Sequence, residues 1–246
     1  MTETELSGRS IVITGASAGI GAATARRVAS AGANVVLAAR REERLEELAD
    51  EIEAEYGVTA LVQPTDVTDS DAVGALIAAA AEHLGGVDGV VANAGVGRGA
   101  EVAEMSDEQY RTMMSVNVDG TFFAAREAIP HLVDSGGDLV FVGSFAGQYP
   151  RPGNPVYAAT KWWVRGFARS LSAQEPAVGV TVVNPAEVRS EFGSKDEPPA
   201  SERWGPDEAS SPEEVADGIA FALGQAGSTV AQVDLYRDGK MGDEFF

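Results

Sequence analysis

The chain has 246 residues, 44% of them hydrophobic, which suits one α/β domain with a large core. It contains no cysteine, so disulfides, thiol catalysis and cysteine metal sites are excluded. Its net charge of −20 argues against nucleic acid and anionic membranes, which require clustered cations.

No apolar run approaches the ~18 residues of a transmembrane helix, and Met1-Thr-Glu-Thr-Glu5 lacks the basic and apolar regions of a signal peptide, so a cytoplasmic location is expected. His83 and His131 are isolated in helical segments without ligand-like spacing, so no metal is expected. Only Lys161, Lys195 and Lys240 are lysine among eighteen basic residues. Excess carboxylate with scarce lysine resembles the halophilic proteins of saline cytoplasms; an ordinary acidic protein is the alternative.

The first predicted strand is 10–14, and Gly15-Ala-Ser-Ala-Gly19-Ile-Gly21 follows directly, with a helix predicted over 22–31. Gly15 permits a tight turn, Gly19 lets the backbone approach a pyrophosphate, and Gly21 lets helix and strand pack closely. The N–H groups of the helix N-terminus, beside Ser17 and Ile20, favour phosphate. The second strand, 34–39, ends without the acidic residue that an NAD site places there; Arg40-Arg41 stand there instead, either as guanidinium forks suited to a 2′-phosphate or as solvated charges opening the next helix, where cations oppose the helix dipole.

Helical periodicity covers 42–56 and 71–84, with strands predicted at 58–63, 88–92 and 138–143. Asp66-Val67 follow the third strand and Asn93-Ala94-Gly95 the fourth, while Asn117 reads as an ordinary polar residue in the helical stretch 115–120. Ser144 lies at the C-terminal end of the fifth strand, where open α/β sheets hold their ligands. Tyr157 and Lys161, four apart, share one helix face, and an ammonium there favours the phenolate of a tyrosine whose ordinary pKa is ~10. A sixth strand at 178–184 precedes residues 186–211, a Pro- and acid-rich stretch without periodicity that reads as a functional lid or as disorder, with a solvated acidic loop as the alternative at 195–200. Ser211-Pro-Glu-Glu214 signals a capped helix, and a last strand is predicted at 230–236. Alternating β and α with buried strands implies a single-domain, doubly wound parallel sheet of about seven strands, Rossmann-like, with helices on both faces.

Thr14-Gly-Ala-Ser-Ala-Gly-Ile-Gly21, Asn93-Ala-Gly95, Asn117, Ser144, Tyr157 and Lys161 together resemble the short-chain dehydrogenase/reductase family, over nearly the whole chain. The resemblance implies an NADP-dependent oxidoreductase that interconverts a carbonyl and a secondary alcohol. In it Tyr157 exchanges a proton with the substrate oxygen, Ser144 holds that oxygen, and Lys161 tunes Tyr157 and binds the nicotinamide ribose. Asn117 would organise a proton-supplying water chain. Gly15, Ser17, Gly19, Ile20, Gly21, Arg40, Arg41, Asp66, Val67, Asn93, Ala94 and Gly95 would bind the coenzyme, with Pro185, Val188 and Ser190 at the nicotinamide. Ala186 replaces the glycine usual after Pro185.

Lys161-Trp-Trp-Val-Arg-Gly-Phe167 and Ser190-Glu-Phe192 resemble the 3-hydroxy acid and serine dehydrogenase branch. Phe145, Gln148, Tyr149, Arg151 and Trp204 are candidates to line its substrate pocket, where Arg151 could pair with a substrate carboxylate or with a surface anion. Trp162 and Trp163 lie on the helix that packs between subunits in this family, implying a homotetramer or homodimer, although burial in the monomer core explains at least one of them equally well. Two other functions stay open: a 3-oxoacyl thioester reductase, and a non-catalytic dinucleotide-sensing regulator.

Overall fold

The computed structural model describes residues 6–193 and 198–238. Lys195, Lys240 and the acidic first five residues lie outside them. Seven strands form one parallel sheet: β1 (Ser10–Thr14), β2 (Asn34–Ala39), β3 (Ala60–Pro64), β4 (Gly89–Ala92), β5 (Asp138–Val142), β6 (Gly179–Pro185) and β7 (Gln232–Leu235). Their spatial order is β3-β2-β1-β4-β5-β6-β7. The reversal between β1 and β4 opens a crevice at the strands' C-terminal ends, the place where open α/β sheets bind ligands.

The strands are apolar and β-branched because both faces are covered. Helices α1 (Gly19–Ser30) and α2 (Glu42–Tyr56) cover one face, together with α8 (Pro212–Leu223). Val28, Leu45, Ile52 and Ile219 of these helices join Ile11, Ile13 and Leu37 in one core. Helices α3 (Ser70–Leu84), α5 (Gly120–Ser135) and α6 (Pro155–Gln174) cover the other, where Leu76, Leu132, Val164 and Leu171 pack on Val12, Val36, Val90 and Phe141. Each such buried side chain contributes ~1.5–3 kcal/mol relative to exposure.

Two boundaries differ from the sequence expectation for identifiable reasons. Gly57, with φ of 68°, ends α2 in the left-handed conformation, and residues 58–59 only lead into β3. Helix α1 begins at Gly19 rather than residue 22, because the glycine loop itself forms the first turn. The helix start at Ser211 is a full capping box: Ser211 Oγ accepts from the Glu214 N–H at 3.2 Å, and Glu214 Oε2 accepts from the Ser211 N–H at 2.7 Å.

The described parts of the 186–211 stretch, 186–193 and 198–211, carry more structure than their composition suggests. A bridge between Val188 and Ser210 ties the ends of the segment together, and a one-turn helix, α7 (Ala200–Arg203), lies between them. Among the described residues no helix is long and apolar enough to cross a membrane.

Candidate active site

A cleft of about 870 Å³ runs across the C-terminal ends of β1, β2, β4, β5 and β6. At its centre lies the glycine loop. Gly15 and Gly19 have φ of 68° and 54°, which L side chains rarely adopt. A Cβ on Gly21 would sit 2.2 Å from the Gly15 carbonyl oxygen, so helix and loop meet there as backbone alone. Ala18, the residue before the helix, caps no N–H with its side chain, and Gly19 and Ile20 line the cleft with first-turn N–H groups. Asn93 locks this loop to β4: its amide donates to the Thr14 carbonyl at 2.8 Å and the Gly15 carbonyl at 3.3 Å. Thr14 Oγ1 returns the tie, accepting from the N–H groups of Asn93 and Ala94 at 3.0 and 3.1 Å.

Toward β5 and β6 stand Ser144, Tyr157 and Lys161. Ser144 opens a single 3₁₀ turn after β5, its hydroxyl accepting from the Ala146 N–H at 3.1 Å. Gly147 in that turn lets it press on α6; a Cβ there would lie 2.7 Å from the Lys161 carbonyl oxygen. This contact places the Ser144 hydroxyl in hydrogen-bonding reach of Tyr157, one helical turn before Lys161. Lys161 is 6% exposed; its ammonium donates to the Val142 carbonyl at 2.8 Å and lies 5.8 Å from the Tyr157 ring centre.

The electrostatics correct the expectation that Lys161 draws Tyr157 toward its phenolate. Burial raises the Tyr157 pKa above its ordinary value, opposed by the Ser144 hydrogen bond and the charge of Arg151. Burial also lowers Lys161, to about 8. Desolvation thus moves both groups toward their neutral forms, holding the proton on the phenol and loosening it on the ammonium.

Asn117 is not an ordinary helix residue. Between α4 (Asp107–Met114) and α5 the chain makes a wide π turn, Ser115–Asp119, and Asn117 is buried in it. Its Oδ1 accepts from the Val96 N–H at 2.8 Å, and its Nδ2 donates to the Val96 carbonyl at 2.9 Å and to Thr160 Oγ1 at 3.1 Å. Asn117 therefore clamps the loop after β4 to α6 from behind the cleft; among the described residues it does not line the cleft.

The opposite rim holds Arg40 and Arg41, both exposed. Arg41 Nε donates to Ser17 Oγ at 3.1 Å, and Arg40 acts electrostatically on Asp66. Hydrogen bonds from Thr68 hold the Asp66 carboxyl below its usual range. Ala94, Gly95, Val67, Pro185, Val188 and Ser190 also line the cleft, whereas Gly21 lies behind it.

A family model described as short chain dehydrogenase matches residues 9–199. The chain belongs to this family. Within the short chain dehydrogenases it is 33% identical to the NADP-dependent 3-hydroxy acid dehydrogenase of Schizosaccharomyces pombe, over 89% of this chain and 88% of that one. It is 36% identical to glycine betaine reductase ATRR of Emericella nidulans over 89% of this chain, which spans only 18% of that longer protein. An alcohol dehydrogenase from Thermococcus sibiricus, solved with 5-hydroxy-NADP, superposes with a TM-score of 0.86 at 31% identity, covering 92% of this chain and 95% of that one.

Of the five proposed substrate-contacting residues in this family member, Arg151 and Trp204 line the cleft. Phe145, Gln148 and Tyr149 do not. Phe145 is 1% exposed and packs between Tyr149 and Tyr236, at 5.6 and 5.5 Å between ring centres, and Gln148 donates to Asp234 Oδ1 at 2.7 Å. The 3₁₀ turn sends Phe145 and Gln148 toward β7 and the residue after it, a change of direction invisible in residue spacing. Arg151 donates to Glu187 Oε1 at 3.3 Å.

The structure adds Phe192, whose ring lies 5.7 Å from that of Tyr157, and Arg98 and Asn154 along the cleft. It also adds Arg44, which with Arg41 holds Glu191. The i, i+3 spacing of Arg41 and Arg44 was a legible sign of a shared helix face. Glu191, 147 residues further on, carried no such sign.

Proposed function

We propose that this chain is an NADP-dependent oxidoreductase interconverting a carbonyl and a secondary alcohol, on a hydroxy acid or small ketone. The observation that carries the reading is one cleft with Ser144, Tyr157 and Lys161 at one end and Ser17, Arg40 and Arg41 at the other. The residues fit the coenzyme. Glycines without Cβ and first-turn N–H groups suit a pyrophosphate, a hydroxyl and two guanidinium groups suit a 2′-phosphate, and Val188 and Ser190 suit a carboxamide. The S. pombe relative, NADP-dependent by name, and the T. sibiricus enzyme, solved with an NADP derivative, support the same choice.

When bound, the coenzyme supplies or accepts the hydride. The protein supplies the proton and the geometry. Tyr157, kept protonated by burial, donates to the substrate oxygen during reduction, and the Ser144 hydroxyl orients that oxygen. Lys161, with its pKa near the working range, replenishes the phenol's proton and contacts the coenzyme ribose. Asn117 is a positioning residue, acting through Val96 and Thr160.

Residues 186–211 close over the reacting groups as a lid. Trp162, half exposed, and Trp163, stacked on Phe167 at 4.8 Å, lie on an oligomer interface, giving a homotetramer or homodimer. The enzyme works in the cytoplasm, and its acidity adapts it to salt.

A panel of ketones, 3-oxo acids and hydroxy acids, followed by NADPH absorbance, tests the reading. Turnover of a carbonyl compound with NADPH supports it. No turnover across the panel, or turnover with NADH alone, rejects it.

A further inference from the structure

Glu191 stands on the segment after β6 and reaches across the mouth of the cleft to the arginine rim. Its Oε2 accepts from Arg41 Nη1 at 3.0 Å, and both its oxygens accept from Arg44 Nη1 at 2.9 Å. Arg41 at the same time donates to Ser17 Oγ. Ser17 and Arg41 are two of the groups assigned above to the 2′-phosphate. A guanidinium fork binds a carboxylate and a phosphate through the same pair of donors. The chain thus carries its own anion at the point where the extra anion of NADP must arrive. The two arginines hold the Glu191 carboxyl below its usual range, so it is ionised at neutral pH.

We propose that Glu191 is a positioning residue that competes with the coenzyme's 2′-phosphate for Arg41 and Arg44. The phosphorylated coenzyme loosens this clasp, and the unphosphorylated one leaves it closed. The proposal rests on the NADP reading of the cleft.

Its consequence reaches the other end of the site, because the clasp and the reacting groups share one short stretch of chain. Ser190, beside Glu191, stands against the glycine loop, where a Cβ on Gly19 would meet its own Cβ at 3.1 Å. Phe192, on the other side, lies against the Tyr157 ring. Release at Glu191 therefore frees the residue that packs on the proton donor. By linkage, the carboxylate must weaken phosphate binding by the same factor that phosphate loosens the carboxylate. Both partners are about half exposed, Arg41 at 46% and Glu191 at 56%, so the factor is modest. Exposed pairs of this kind each correspond to roughly 1.4-fold to fivefold in affinity.

Adenosine 2′,5′-bisphosphate and adenosine 5′-monophosphate, titrated calorimetrically into the full chain, separate phosphate reading from nicotinamide binding. Glu191→Gln should bind the bisphosphate roughly twofold to fivefold more tightly and the monophosphate as the parent does. Glu191→Asp, which keeps the charge, should stay near the parent. In hydrogen exchange, the bisphosphate should speed exchange at residues 186–193 of the parent, and the monophosphate should not. Unchanged bisphosphate affinity in Glu191→Gln, or an equal gain for both nucleotides, would overturn the clasp. A parent that binds both nucleotides equally overturns the NADP reading beneath it, and a parent that prefers the bisphosphate while Glu191→Gln stays unresponsive overturns the clasp alone.

Discussion

The two ends of the cleft are built from different materials. The reacting end is buried: Lys161 is 6% exposed and bonded to the Val142 carbonyl, and Asn117, 1% exposed, is satisfied by backbone and Thr160. The coenzyme rim is a set of long side chains in water, Arg40, Arg41 and Arg44, with the Arg41 and Arg44 side chains each 46% exposed. Burial shifts pKa values and makes each contact costly to lose, whereas exposure leaves contacts weak, salt-sensitive and easily exchanged. Chemistry is thus held where the fold is least adjustable, and coenzyme choice where it is most adjustable.

The strongest test of the buried end is Tyr157→Phe. It should lower turnover by roughly a hundredfold to ten-thousandfold, the range for losing a general acid, while NADPH affinity stays near the parent's. Single-turnover hydride transfer and a fluorescence titration measure the two quantities. Activity within tenfold of the parent would remove Tyr157 from the proton path.

At the rim, Arg40→Ala and Arg41→Ala should each weaken NADPH by roughly tenfold to a hundredfold, the equivalent of one charge-assisted hydrogen bond, and leave NADH nearly unchanged. Equal losses for both coenzymes would mean that these arginines support the loop and do not read the phosphate.

Most of this contrast was legible in the sequence, and its limits have physical causes. The glycine loop, the β-branched strands and the Tyr157/Lys161 spacing report local geometry, which residue order encodes directly. Phe145 and Gln148 were misplaced because a single 3₁₀ turn redirects them, and spacing carries no sign of a turn's direction. Lys161 was expected to acidify Tyr157 because i, i+4 proximity is readable, whereas the depth of burial that moves both pKa values toward the neutral forms depends on packing from β5 and the 3₁₀ turn. Glu191 was unreadable because its partners stand at the far end of the chain.

Lys161 also allows the buried end to be examined through stability. Its pKa is about 8 in the folded protein, against the ordinary lysine value of 10.5 that the unfolded chain restores, so the folded form binds fewer protons between those values. The parent therefore gains stability as pH rises from about 8 toward 10.5. Lys161→Met lacks this gain, so the difference in melting temperature, mutant minus parent, should fall as pH is raised across that window. A difference independent of pH would show that the ammonium is solvated after all.

The smallest and most global effect concerns salt. With a net charge of −20, the folded chain repels itself over a Debye length of about 30 Å at 0.01 M salt, but only about 3 Å at 1 M. Raising KCl should raise the melting temperature while weakening NADPH at the exposed rim. A neutral osmolyte is the control for excluded-volume effects. A melting temperature that ignores KCl would make the acidity incidental.

The π turn has a consequence of another kind. Met114 and Gly120, on either side of it, keep helical φ of −65° and −62°, so α4 and α5 form one continuous rod with a surplus residue inside. One residue advances an α-helix by ~100° and ~1.5 Å. The grip of Asn117 on Val96 and Thr160 is therefore set by the phase of a helix as well as by the identity of a side chain. Point substitutions leave that phase untouched. Deleting one residue of the stretch would let the rod close into an uninterrupted helix, in which the side chains of α4 and α5 keep their faces and only the turn itself, Asn117 with it, is reseated. The step in a lineage that creates or erases this clamp is an insertion or a deletion.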